Sequence, residues 1–222
     1  MPMVLSNISA PLCGVVNSAL LGHLKSSHYL AAHALANAMM VFLVCLFSFF
    51  RMSTTGTIAA CYARGNWSAM ADWLIRAAVF SAVLSVILWC FQSPIKASFL
   101  FLSGESSGLE APVNQYYHLA IYAMPFVFMN YVWVGFFIGV QKTRLSLIVS
   151  VTQTIVSILL SVLLVQVWQF NVKGVAVSFL VSEVVSCAVG FVIVYAMFNR
   201  HHCPLKQRFC RQSIVRLRSY YG

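Results

Sequence analysis

The sequence predicts an all-α polytopic membrane protein with six transmembrane helices, on three observations. Of its 222 residues, 61% are hydrophobic and only 8% charged, with a mean hydropathy of +0.85, where a soluble domain carries roughly 25% charged residues. The apolar residues gather into six runs long enough to cross a bilayer as helices, which takes about 20 residues each. These runs are continuous, which argues against a barrel built of alternating segments of ~10 residues. A chain this apolar buries its surface and does not stay disordered, and six spans with short connections leave no room for a sizeable soluble domain.

Each span is bounded by polar or turn residues. The first runs from Met3 to Leu21 and closes at Gly22 to His28. It carries Asn7 and Asn17 and has no basic region before it, which argues against a cleaved signal peptide and for a helix without its cytoplasmic lead-in. The second runs from Tyr29 to Phe50, with Cys61 to Asp72 separating it from the third, Trp73 to Phe91. Gln92 to Gln115, with two prolines and two glycines, reads as the longest connection. Tyr117 to Val140, Leu145 to Val167 and Gly174 to Phe198 complete the set, broken at 141–144 and 168–173.

Basic residues near helix ends stay in the cytoplasm. With the N-terminus inside, one side collects 11 of the 14 Lys and Arg residues, Arg51, Arg64 and Arg76 among them, and the other holds Lys25, Lys96 and Lys173. Both termini are therefore expected in the cytoplasm. The net charge of +10 is spread over these membrane flanks, so no nucleic-acid partner is expected. The division expected is a six-helix lobe over 1–199 and a basic tail or truncated linker over 200–222. The tail mixes Lys and Arg with Leu205, Phe209 and Ile214, a composition that can lie along an anionic leaflet.

Enzyme chemistry finds no foothold. There is no His-Glu-x-x-His, no Gly-x-Ser-x-Gly and no phosphate-cradling glycine loop, and the only carboxylates are Asp72, Glu105, Glu110 and Glu183. No catalytic residue, metal site or cofactor is expected. His201, His202, Cys203 and Cys210 lack the paired spacing of a zinc site, and the seven cysteines imply no disulfide framework.

Glu183 stands apart, about ten residues into the sixth span with Ser182 and Ser186 beside it. An ionisable group at that depth faces the bundle interior or a wet cavity and is a functional candidate. The bland alternative is a protonated carboxyl bonded to a neighbouring helix, with serines of the fifth span as expected partners. Asn17, Asn37 and Asn130 also need interhelical partners. Gly135-Phe136-Phe137-Ile138-Gly139 permits close helix approach, read as packing within the chain before dimerisation. Pro2, Pro11 and Pro125 start or interrupt spans, and a proline inside a helix frees carbonyls.

Ordered landmarks over nearly the whole chain resemble one family. Pro2 followed by Val15-Val16-Asn17-Ser18-Ala19-Leu20-Leu21-Gly22-His23-Leu24 is similar to the first helix of multidrug and toxic compound extrusion (MATE) transporters, in the branch named for DNA-damage-inducible protein F. Arg51 to Ala60 with Ala63-Arg64-Gly65-Asn66 resembles the end of helix two and its loop. Gly135 to Arg144 resembles the end of helix four, and Val172 to Ala176 the start of helix six. The resemblance implies the N-terminal half of a twelve-helix protein with two six-helix lobes and a substrate cavity between them, the region from Arg200 resembling the start of the interlobe linker. It implies export of organic cations and other amphipathic compounds in exchange for H+ or Na+, in a bacterial-type inner membrane.

In this branch the resemblance implies a cation site on an acid of helix one, an Asn and Asp of helix five and a Thr of helix six. Those positions fall here on Asn17, Ser157, Ser161 and Phe179. Neither Asn nor Ser changes charge at physiological pH, so Glu183 becomes the candidate coupling carboxylate in their place. The functions in competition are therefore three. The first is an efflux lobe completed by a second lobe or by a homodimer. The second is a degenerate non-transporting fragment, and the third is a membrane scaffold recruiting lipid or a partner through its tail.

Overall fold

A computed structural model of the chain describes residues 14–20, 27–102, 110–168 and 171–200. The elements are α1 (14–20), α2 (Ser27–Leu46), α3 (Phe49–Ala63), α4 (Trp67–Cys90), α5 (Gln92–Leu102), α6 (Glu110–Ile121), α7 (Met124–Gly139), α8 (Thr143–Val162), a π-helical turn (Leu163–Val167) and α9 (Asn171–Arg200). Among the described residues no strand occurs. Four helical stretches are long and apolar enough to cross a membrane: His33–Ala63, Trp67–Cys90, Thr143–Gln166 and Val172–Asn199. Val113–Ile121 and Met124–Gly139 pass together as a fifth, bent by 51°. Of the first expected span only 14–20 is described, and Pro2, Asn7 and Pro11 lie outside the described residues.

Three boundaries differ from the sequence reading. The second span does not stop at Phe50 but continues through α3 to Ala63. Its hydroxyl-rich stretch stays helical because Thr54, Thr55 and Thr57 donate to the carbonyls of Phe50, Arg51 and Ser53 at 2.9, 2.9 and 3.0 Å, satisfying polar groups without water. Arg51 and Arg76, expected at span edges, therefore lie inside α3 and α4. The separation over 61–72 shrinks to a turn at 64–66, and the connection over 92–115 contains α5 and the start of α6.

That turn and the one at 140–142 share one mechanism. Gly65 has φ +64°, and the N–H of Asn66 reaches back to the carbonyl of Cys61 at 3.1 Å. Gln141 has φ 60°, and the N–H of Lys142 reaches the carbonyl of Phe137 at 2.9 Å. Both are left-handed helix stops that satisfy terminal carbonyls. Asn66 then caps α4, its side chain accepting from Ala69 N at 3.0 Å. Arg64, Lys142 and Arg144 mark this as the basic end of the bundle.

The bend between α6 and α7 follows from Pro125, which has no N–H and cannot bond the carbonyl four residues back. That carbonyl belongs to Ile121, and the Trp89 indole N–H takes it at 3.0 Å. The carbonyl freed by the proline thus ties α4 to α6.

Small residues set the remaining spacing. A Cβ on Gly139 would stand 2.8 Å from the Ile58 side chain and 3.0 Å from the Thr55 carbonyl, and one on Gly135 would meet Arg51 O at 3.0 Å. The Gly-x-x-x-Gly face of α7 is thus used within the chain, against α3. Gly190 of α9 likewise admits the Trp133 indole of α7. The core divides into two clusters. One, nearer the basic end, gathers Ile58, Met70, Phe136, Phe137 and Phe198, and the other gathers Met39, Tyr117, Phe128 and Val175.

Candidate functional site: a carboxyl between three helices

Glu183 is 3% exposed and lies where α7, α8 and α9 meet. Its Oε2 accepts from Asn130 Nδ2 at 2.7 Å, and its Oε1 accepts from Gln153 Nε2 at 2.5 Å. Asn130 Nδ2 also donates to the backbone carbonyl of Glu183 at 3.2 Å. Among the described residues Glu183 makes no ion pair. The carboxyl is therefore gripped by two neutral amides from two other helices, with no ion pair to a positive charge among the described residues.

Depth follows from the helices that supply the grip. Asn130 is nine residues from the Gly139 end of α7 and Gln153 ten from the Thr143 start of α8. At 1.5 Å per residue both lie about 14 to 15 Å from the basic end, half of a hydrocarbon layer of ~30 Å.

The serines of the fifth span are not the partners of Glu183, as the sequence reading expected. Serine is too short to cross from α8 to a carboxyl that the longer Gln153 reaches. Ser161 instead pairs with Ser178 of α9 at 2.6 Å between their hydroxyl oxygens, and Ser157 is buried on the same helix. Ser186 donates to the carbonyl of Val149 at 3.3 Å, and Ser182 to the carbonyl of Phe179 at 2.8 Å. The four positions given by family resemblance thus separate in kind. Ser157 and Ser161 lie in the polar interior, Asn17 is buried on α1, and Phe179 packs half-buried against the core cluster that holds Tyr117 and Val175.

Gln153 and Ser178 are the functional candidates the sequence reading missed. The signal was present, because Ser146, Ser150, Gln153, Ser157 and Ser161 recur every three or four residues on α8, the stripe of one helix face. Among the described residues no group of three metal-capable side chains occurs. His201, His202, Cys203 and Cys210 lie outside the described residues.

Comparison with known proteins agrees with this architecture. The family model described as MatE matches residues 2–163. DNA damage-inducible protein F of Escherichia coli (strain K12) is 31% identical over 194 residues, which is 87% of this chain and 42% of that protein. An outward-facing multidrug resistance MATE family transporter of the MOP superfamily superposes with a TM-score of 0.78 at 18% identity, over 90% of this chain and 44% of that one. A MOP superfamily transporter from Pyrococcus furiosus gives 0.78 at 20% identity, over the same two shares. The chain spans about half the length of the relatives it matches. By sequence and by fold, the chain belongs to the MatE family.

Proposed function

We propose that the chain is one six-helix lobe of a cation-coupled efflux transporter, exporting organic cations or other amphipathic compounds, with Glu183 as the coupling carboxylate. The observation that carries this reading is a mid-span carboxyl bonded on both oxygens by amides and paired with no cation among the described residues. An uncompensated charge in a bilayer is costly, so a proton or a bound cation supplies the missing positive charge, and binding of that ion is the coupling step. Family membership supports transport over enzymatic chemistry.

The lobe works beside a second six-helix lobe, from another chain or a second copy, because the transporters it resembles are about twice as long. It resides in a bacterial-type inner membrane with its basic turns, and both termini, on the cytoplasmic side. Residues 1–199 form the lobe and 200–222 the linker or tail.

Proteoliposomes loaded with a fluorescent organic cation test this. The wild-type chain should release it in response to an imposed ion gradient, and Glu183→Gln, close in size and still a hydrogen-bonding partner, should not. Equal gradient-dependent release by both would remove Glu183 from the mechanism. A non-transporting membrane component is the second reading, favoured by Ser161, a position of the family's site by resemblance, which here makes an ordinary interhelical hydrogen bond with Ser178. It predicts no release by either protein.

A further inference from the structure

At the end of the bundle opposite the basic turns, where α4 gives way to α5, a surface cleft of about 90 Å³ is lined by Gln92, Ser93 and Lys96 of α5 and by Tyr117 and His118 of α6. The length of α4 places it at the membrane rim. Its 24 residues rise about 36 Å, more than a hydrocarbon layer of ~30 Å, so the residues after Cys90 stand at the far interface. Two hydrogen bonds build the cleft. The Tyr117 hydroxyl donates to the carbonyl of Gln92 at 3.3 Å, pinning α6 to the start of α5. The Lys96 ammonium donates to Asn114 Oδ1 at 2.6 Å, a neutral partner that orients the charge without cancelling it.

Most of what remains uncommitted in the cleft is donors. A lysine ammonium has three N–H groups, and one of them goes to Asn114. Among the described residues the side chains of Gln92, Ser93 and His118 make no hydrogen bond within the chain, and each carries an N–H or O–H. Among the described residues no carboxylate lines the cleft, so nothing acidic there competes for the ammonium. An ammonium with neutral donors around it suits a phosphate group, whose oxygens only accept and whose bonds to a cation are the strong kind. The volume is several times the ~10–15 Å³ that one water needs, which leaves room for those oxygens.

The surface beside the cleft identifies what carries the phosphate. His118 and Tyr122 stand one turn apart on one face of α6, both exposed, with Tyr122 the deeper in the membrane. The Tyr122 ring lies 5.7 Å from that of Trp89 on α4. Deeper again on α4, Val79, Val83 and Val86 share one helix face and are each more than half exposed. A polar cleft at the rim thus adjoins apolar surface leading into the bilayer. We propose that the cleft binds the phosphate of an anionic phospholipid in the leaflet opposite the basic turns. Lys96 is the charged anchor, Gln92, Ser93 and His118 donate hydrogen bonds, and the acyl chains lie over Tyr122 and the three valines. Inorganic phosphate would fill the cleft alone and leave that apolar surface unused. The site is separate from Glu183 and independent of any role in coupling.

Native mass spectrometry of the full chain, titrated in detergent with phosphatidylglycerol or with phosphatidylcholine of the same acyl chains, tests the site. Phosphatidylglycerol should bind the more tightly. Lys96→Gln should weaken it roughly tenfold, the effect of losing one hydrogen bond to a charged group, and Lys96→Arg should restore it. Lys173→Gln, which removes the other lysine described on that side, should leave binding unchanged. Ser93→Ala combined with His118→Gln should also weaken binding, and gives an independent reading should Lys96→Gln fail to fold. Inorganic phosphate at the same concentration should not displace the lipid, and displacement would overturn the lipid in favour of a soluble ion. Equal binding of the two lipids overturns the proposal, as do equal losses in Lys96→Gln and Lys173→Gln, because general surface charge would then decide.

Discussion

Single residues here resolve conflicts that membrane burial makes severe. Pro125 leaves the Ile121 carbonyl without its helical donor, and Trp89 supplies the replacement from another helix. Trp89→Phe keeps the ring but removes the donor, so it should destabilise the lobe by about 1 to 3 kcal/mol, the cost of an unsatisfied buried carbonyl; reversible unfolding in detergent reads this directly. Gln141 carries the opposite signature, a left-handed conformation that a side chain opposes at about 1 kcal/mol. Gln141→Gly should therefore raise the thermal midpoint, and a lower midpoint would show that the amide side chain holds the turn in some other way.

Elements are spaced by the same few atoms. Gly139→Leu would drive its side chain into Ile58 and the Thr55 carbonyl, and overpacking of this kind costs about 1 to 3 kcal/mol. Gly56 is helical too, but nothing lies within 4 Å of its Cβ position, so Gly56→Ala should be neutral or stabilising by up to about 1 kcal/mol. Opposite signs for the two variants would show that close approach of α7 to α3, and not helix propensity, decides the role of these glycines. Equal losses would contradict it.

The sequence made the spans legible, because runs of apolar residues register bilayer thickness directly. It misplaced their ends where helix propensity and hydropathy part company. The stretch from Arg51 to Ala63 reads as polar, yet its threonine hydroxyls bond their own helix, and nothing in hydropathy distinguishes that from a loop. The 51° break was visible in Pro125, although its partner Trp89 was not, since that contact joins residues 32 apart in sequence. Glu183 was legible from depth alone. Its grip was not, because choosing Gln153 over the fifth-span serines requires knowing which faces of α8 and α9 meet and how far each side chain reaches.

For the whole molecule, the proposal that Glu183 binds the coupling ion implies that an organic cation entering a lobe of the MatE fold displaces a proton from that one buried carboxyl. Large apolar side chains on α4, α8 and α9, such as Val83, Leu159 and Val192, are exposed, as expected of surfaces meeting lipid or a second lobe. The most direct test is proton release on ligand binding, measured by adding tetraphenylphosphonium to the purified chain in weakly buffered detergent solution. Release from the wild-type chain and none from Glu183→Gln is the expected result. Release of equal size from both, or binding without release from the wild type, would contradict it.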